Sequence, residues 1–302
     1  MRRNNLQQRY EGSHLTPSGT KASPPWKKQR HVCGLAHVNR IIKMTAYRPC
    51  ILVLILAGIL CSGPLSPASA RWSGSIGTGF SRTQRSGDLG LGTQGFGPVH
   101  VDVDLSPSDF DDVTDTSFGI DLALSDGTWM VDFSLDLLEL EDNAPERLSD
   151  GITIRSNMGF DTLSVELTVG RNIYESRWVD LGLHGGLRYD RQELSVDLSQ
   201  GTDTERTEVD ESWLDLLMGA SADVPFAEKW LWSNKFNVGF GGSEGTWFAS
   251  TGVTWRFHPS WSTEVYGEFT AVDYENGGRE NTDWYRYDVD EIIWGANVLF
   301  HW

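Results

Sequence analysis

The sequence predicts an all-β fold: an antiparallel up-and-down transmembrane β-barrel of about ten strands, with eight and twelve as the neighbouring even counts. Three observations predict it. The last segment alternates, with Ile292, Trp294, Ala296, Val298, Phe300 and Trp302 on one face and Glu291, Gly295, Asn297 and His301 on the other. That period of two belongs to a strand with unlike faces. An export signal precedes the alternating region. Short turns then alternate with longer polar connections along the chain, as in barrels with short turns on the periplasmic side and longer loops outside.

The chain has 302 residues and a formal net charge of −17, unevenly distributed. Residues 51–60, ILVLILAGIL, are unbroken apolar sequence after Arg48, and Ala68-Ser69-Ala70 supplies small residues for cleavage. This is the pattern of a secretory signal peptide; a run of 10 is too short for a transmembrane helix, which needs about 20. Leu60 before Cys61 does not fit a lipoprotein signal. The expected organisation is a polar, basic extension over 1–43, expected to be disordered and upstream of a true start at Met44, then a signal peptide over 44–70 and a barrel over 71–302. Beyond residue 70 there are 15 basic and 41 acidic side chains, a net charge of −26. That excludes nucleic acid as a partner, which needs a basic face. The three cysteines, Cys33, Cys50 and Cys61, all precede the cleavage site, so the mature chain carries no disulfide or thiolate metal site.

The mature chain opens with Trp72, Gly74, Ile76, Thr78 and Phe80 alternating with small polar residues, then a Gly-rich polar stretch over 81–97. Val99, Val101 and Val103 alternate with His100, Asp102 and Asp104, and 106–115 reads as an acidic loop with one helical turn at 108–113. Phe118, Ile120, Leu122 and Leu124 share a face, as do Trp129, Val131, Phe133, Leu135 and Leu137 after the turn at 125–127. A polar loop is expected over 141–150. Within 151–173 the apolar parity shifts between Phe160 and Leu163, which predicts a bulge there. Val179, Leu181, Leu183, Leu187 and Tyr189 follow, then a long polar loop over 196–210. Leu214, Leu216 and Met218, then Trp230, Trp232, Phe236 and Val238, then Trp247, Val253 and Trp255, then Trp261, Val265 and Phe269 mark the remaining strands before the last. Counting both 72–80 and 99–105 as spanning strands gives eleven, so one of the two is expected to be loop or plug, leaving ten; bacterial single-chain barrels use even numbers.

Alternation alone does not say which face is inside, since a soluble lipocalin-like barrel or sandwich reads the same. The export signal, the tryptophans at strand ends on the apolar face (Trp230, Trp247, Trp261 and Trp302) and the glycines on the polar face (119, 182, 186, 239, 252 and 295) all favour apolar-out. The tryptophans suit an interfacial girdle, and the glycines make room inside a narrow lumen.

Residues 211–269 carry a W-x-D strand (Trp213, Asp215), Lys229-Trp230 opening the next strand, Gly-Phe-Gly-Gly at 239–242 and Trp255-Arg256-Phe257. This stretch, with VHVDVDLSPSDFDDV at 99–113, resembles small Gram-negative outer-membrane β-barrels, broadly of the OmpA/OmpW kind. The resemblance implies the cell outer membrane as location, insertion by the barrel-assembly machinery, and contact with outer-membrane lipids and lipopolysaccharide. It transfers no catalytic residues. The terminal assembly signal departs from the usual pattern: Asn297 stands five residues before the terminal aromatic, the glycine is Gly295, and the terminus is Trp302.

With the apolar face outward, the lumen set is Asp121, Asp132, Asp136, Glu166, Asp180, Asp215, Asp223, Glu264, Glu268 and Glu291, against His184, Arg188, Lys235 and Arg256. Small barrels are filled by such side chains, which predicts a structural or interaction role without catalysis. A narrow cation-preferring pore for small cationic solutes is the alternative, because carboxylate rings favour cations and burying that many without water is costly. Gly241-Gly242-Ser243-Glu244-Gly245 spells the hydrolase elbow, but strands flank it on both sides, so it reads as a hairpin turn. Gly90, Gly92 and Gly95 match a dinucleotide fingerprint with no helix after them, so no cofactor is expected. Asp109, Asp111, Asp112 and Asp115 do not match an EF-hand loop. His184, between Asp180 and Arg188, is the residue on which an enzyme reading would rest.

Overall fold

The computed structural model describes residues 72–105, 114–142, 146–147, 153–200 and 202–302. The extension, the signal peptide and the helical turn expected at 108–113 lie outside the described residues. Period-two sequence becomes strands: β1 (Ser73–Leu91), β2 (Val99–Leu105), β3 (Thr114–Ser125), β4 (Trp129–Asp142), β5 (Glu146–Arg147), β6 (Thr153–Glu175), β7 (Asp180–Gln200), β8 (Asp203–Ala227), β9 (Trp230–Phe240), β10 (Gly245–His258), β11 (Trp261–Asn276) and β12 (Tyr285–His301). Each pairs antiparallel with its neighbour, and β12 returns to β1 over Ser75↔His301 to Leu91↔Tyr285, closing the wall. Closure leaves no free edge around the ring for an apolar solvent to strip of hydrogen bonds.

The wall has ten strand positions. They arise differently from the expectation. Neither 72–80 nor 99–105 is loop or plug: both belong to the sheet. β1 pairs with β3 over residues 73–79 and with β2 over residues 85–91, so β2 and β3 stack end to end in one strand position. β5 adds a two-residue ladder beside β6. The barrel ends differ. At the turn end, connections are tight: Asp126 Oδ1 accepts from the Trp129 and Thr128 amides at 2.7 and 2.9 Å, which holds its carboxyl below the usual carboxylate range, and Gly127 takes the positive φ of 91°. At the hairpin end, strands run much further than the sequence suggested. The polar stretches over 81–97 and 196–210 are mostly strand: β1 continues to Leu91, and β7 and β8 run to Gln200 and from Asp203.

The apolar face is outside along a band. Phe80, Met218 and Val265 are 71%, 60% and 64% exposed, values that no soluble core would show. Trp230, Trp261 and Trp302 sit on this outer face toward the turn end, and Trp247 toward the opposite end. Beyond the band the chemistry of the faces reverses. On β12, Trp294 and Ile292 point out, but further up the inward residues are Val289, Tyr287 and Tyr285, all buried. On β7 the inward set passes from His184 and Asp190 to Leu194, Val196 and Leu198. This reversal explains the parity shift at 160–163. No bulge lies there: β4 and β6 pair without interruption from Asp142↔Met158 to Trp129↔Arg171, and the β6–β7 irregularities fall at 154–158 and 172–174. Phe160 is an inward residue above the band and Leu163 an outward residue within it. The backbone is continuous, and the surroundings change.

Candidate functional site

The interior divides into two layers. Within the band it is polar, because every second side chain must point inward and the outer face is already apolar. Lys235 Nζ lies 2.9 Å from Glu166 Oε1 and 3.9 Å from Asp132 Oδ2. Arg188 Nε meets Asp190 at 3.0 Å, Ser164 donates to the same carboxylate at 2.5 Å, and the guanidinium lies 5.5 Å from the Phe248 ring centroid. Asn297 donates to Asp121 at 3.2 Å, Thr254 to Glu264 at 3.5 Å and Thr270 to Glu268 at 3.1 Å. Asp136 joins the same mesh beside Asp121, Glu268 and Arg188. Glycines admit the larger members: a Cβ at Gly295 would stand 2.7 Å from the Tyr266 ring.

The expected lumen residues do not form one ring. Asp121, Asp132, Asp136, Glu166, Arg188, Lys235, Glu264 and Glu268 make the central mesh. Asp180 and Asp223 are register partners near the turn end. Arg256 is exposed at that rim, its amide bonded to the Lys229 carbonyl. Glu291 lies at the junction of the layers, 3.0 Å from Arg85 Nε and accepting from Tyr287 Oη at 2.6 Å. Asp215 is no lining residue: it is 0% exposed and ties down the β9–β10 hairpin, accepting from the Gly242 and Ser243 amides at 2.9 and 2.8 Å and the Ser243 and Thr246 hydroxyls at 2.6 and 3.0 Å. Ser243 is therefore a turn residue held by a carboxylate. His184, 8% exposed, bonds through Nε2 to Asn237 Oδ1.

Above the mesh, sequence reasoning missed a second layer. Leu89, Leu91, Val99, Val101, Phe160, Leu194, Val196, Leu198, Trp213, Val272, Tyr274, Tyr285, Tyr287 and Val289 form one buried apolar cluster inside the hairpin end. Leu91 and Tyr285 are 0% exposed, and Tyr285 Oη donates to Gln192 at 2.6 Å where the cluster meets the polar layer. Arg85 lies under it, 4.8 Å from the Phe160 ring centroid. The β1–β2 connection folds across the mouth, with Glu205 accepting from the Gln94 and Gly95 amides at 2.7 and 2.8 Å. The signal that could have found this layer was in the sequence: Leu194, Val196 and Leu198 alternate with polar residues across the start of the stretch over 196–210 read as loop.

The β9–β10 hairpin is short. β8 pairs with β9 only as far as Leu216↔Phe240, so residues 203–215 pair with β7 alone. Side chains close the gap toward β11: Tyr274 Oη donates to Glu211 at 3.0 Å, Asn276 reaches the same carboxylate at 3.0 and 3.1 Å, and Trp213 stacks on Tyr274 at 4.4 Å.

Among the described residues, no group of three or more His, Cys, Asp or Glu is arranged to hold a metal ion. No family model matches the chain, and no curated protein matches it in sequence. Its barrel fold resembles Gram-negative outer-membrane β-barrels. The attachment invasion locus protein Ail of Yersinia pestis is 12% identical, over 76% of this chain and 98% of that one, with a TM-score of 0.32. Neisserial surface protein A is 12% identical, over 77% and 97%, with a TM-score of 0.31. The outer-membrane protease OmpT of Escherichia coli is 10% identical, over 76% and 96%, with a TM-score of 0.42. At these identities the likeness is one of fold and carries no activity across.

Proposed function

We propose that the protein is an outer-membrane barrel, closed to solutes and without catalysis, that presents a rigid extension at the cell surface as a structural or interaction element. The packed apolar cluster inside the hairpin end carries this reading. A conducting barrel needs a continuous water-filled path, and here the buried apolar cluster occupies the interior beyond the polar mesh. The apolar band supports a membrane setting, the tight turns support a periplasmic turn end, and the OmpA/OmpW-like stretch at 211–269 supports a role without catalysis. In that setting the band faces lipid and lipopolysaccharide, and the assembly machinery inserts the barrel. Ser243 has Asp215 and Thr246 as partners, and His184 has Asn237, so neither forms a nucleophile–base pair.

The competing reading is a narrow cation-preferring pore for small cationic solutes, favoured by the excess of carboxylates over Lys235 and Arg188 in the mesh. Planar-bilayer recording separates the two. The purified barrel is expected to give no conductance steps, and Tyr285→Ala with Tyr287→Ala, which empties the cluster beside Arg85, is expected to create small cation-preferring ones. Regular cation-selective steps from the unaltered protein would overturn the closed reading.

A further inference from the structure

One cleft in the outer wall is apolar on one side and acidic on the other, which suits an amphiphile. Where the β9–β10 hairpin stops, a cleft of about 350 Å³ opens in the wall, bounded on the hairpin side by Gly239, Gly245 and Thr246. Its floor is Val238, Trp247 and Ala271. Val238 and Trp247 belong to the outward apolar band, so the floor is continuous with the surface that lipid chains cover. Asp273, Asp288 and Asp290 line its other side, Asp273 directly opposite Gly245.

These carboxylates are crowded by the register itself. Asp273 stands directly opposite Asp288 across the β11–β12 ladder, and Asp290 opposite Ala271. Like charges facing each other across a ladder are destabilising. Arg286 answers part of this, meeting Asp288 at 2.7 Å, and leaves three carboxylates against one guanidinium. Because the hairpin ends here, the cleft is open to the outer face of the wall.

We propose that this cleft binds an amine-headed lipid, its ammonium between Asp273 and Asp290 and its first acyl segments along Val238, Trp247 and Ala271. An ammonium supplies donors and positive charge to carboxylates that the fold brings together, and the apolar floor takes the chain. A lipid whose head is only phosphate would meet like charge. The inference rests on the membrane setting above but not on the closure of the interior.

The test is native mass spectrometry of the full barrel in detergent, titrated separately with phosphatidylethanolamine, phosphatidylglycerol and lipopolysaccharide with or without an amine-bearing head. Amine-headed lipids are expected to bind at least about tenfold more tightly than phosphatidylglycerol. Preference for one of the two amine lipids identifies the source, and preference for both establishes the shared chemistry. Asp273→Asn with Asp290→Asn is expected to erase the preference. Ala271→Trp fills the floor with the carboxylates intact and is expected to abolish binding. Each variant is first checked for retained heat-shift on a gel. Equal or tighter binding of phosphatidylglycerol, or a preference that survives both variants, would overturn the proposal. Either failure leaves the bilayer recordings unaffected, so the two readings fail separately.

Discussion

Asp215 shows how a residue's role depends on what its neighbours demand. On sequence it is one more inward carboxylate in an acidic strand. In the fold it answers four donors of the β9–β10 turn and is fully buried. The turn needs it because Gly241 takes a φ of 128° and the following amides have no ladder partner. Asp215→Ala leaves those donors unsatisfied and is expected to cost roughly 1–3 kcal/mol per stranded polar group. Hydrogen exchange should read this as lost protection confined to residues 241–246; unchanged protection there would contradict the assignment. Which face Asp215 occupies was legible from period two, but its partners were not, because hydrogen bonding across 27 residues leaves no local pattern. Arg85 was missed for a related reason. It lies within the Gly-rich polar stretch over 81–97, yet it sits 3.0 Å from Glu291, a residue more than two hundred positions away.

The strands of the hairpin end carry a lesson about solvent. Within the band the sequence reads correctly, because an apolar outer face and a polar mesh inside give every strand two unlike faces. Beyond it the same backbone continues, but the outer face turns polar: Arg191, Arg206, Glu208 and Asp210 point out and Leu194, Val196 and Leu198 point in. Alternation reverses in sign without a break in register. A reader tracking one apolar face sees a bulge at 160–163 and a loop at 196–210 where there is strand. At this scale the seam between the upper part of β8 and β11 is closed by side chains rather than by a backbone ladder. Tyr274 is held above the ordinary tyrosine value, to about 12, by burial and then by the Glu211 carboxylate to which it donates. A tyrosine whose folded value is raised contributes stability that is complete below about pH 10, its unfolded value, and lost as pH rises through the folded value. Limited proteolysis of the β7–β8 hairpin is therefore expected to accelerate between about pH 10 and 12, and Tyr274→Phe should remove that pH dependence. A rate flat across this window in the unaltered protein would contradict the role given to the pair.

For the whole molecule, fold class and strand number were legible because closure of an alternating sheet constrains both: ends on one side require an even count of positions. Ten positions emerged even though both N-terminal segments are strand, because β2 and β3 share one position. The interior plug was not legible, since nothing in one sequence says where the membrane stops and water begins along a strand. The molecule is thus two stretches of one wall, one with an apolar outer face around a polar interior and one with a polar outer face around an apolar interior. The central claim is that the apolar band faces lipid in the outer membrane. The most direct test is to express the chain from Met44, separate the membranes and run the outer-membrane fraction on a gel with and without boiling. The account predicts a protein in that fraction whose unboiled form keeps its barrel in detergent and migrates differently from the boiled form. A soluble periplasmic protein with no mobility change would contradict it.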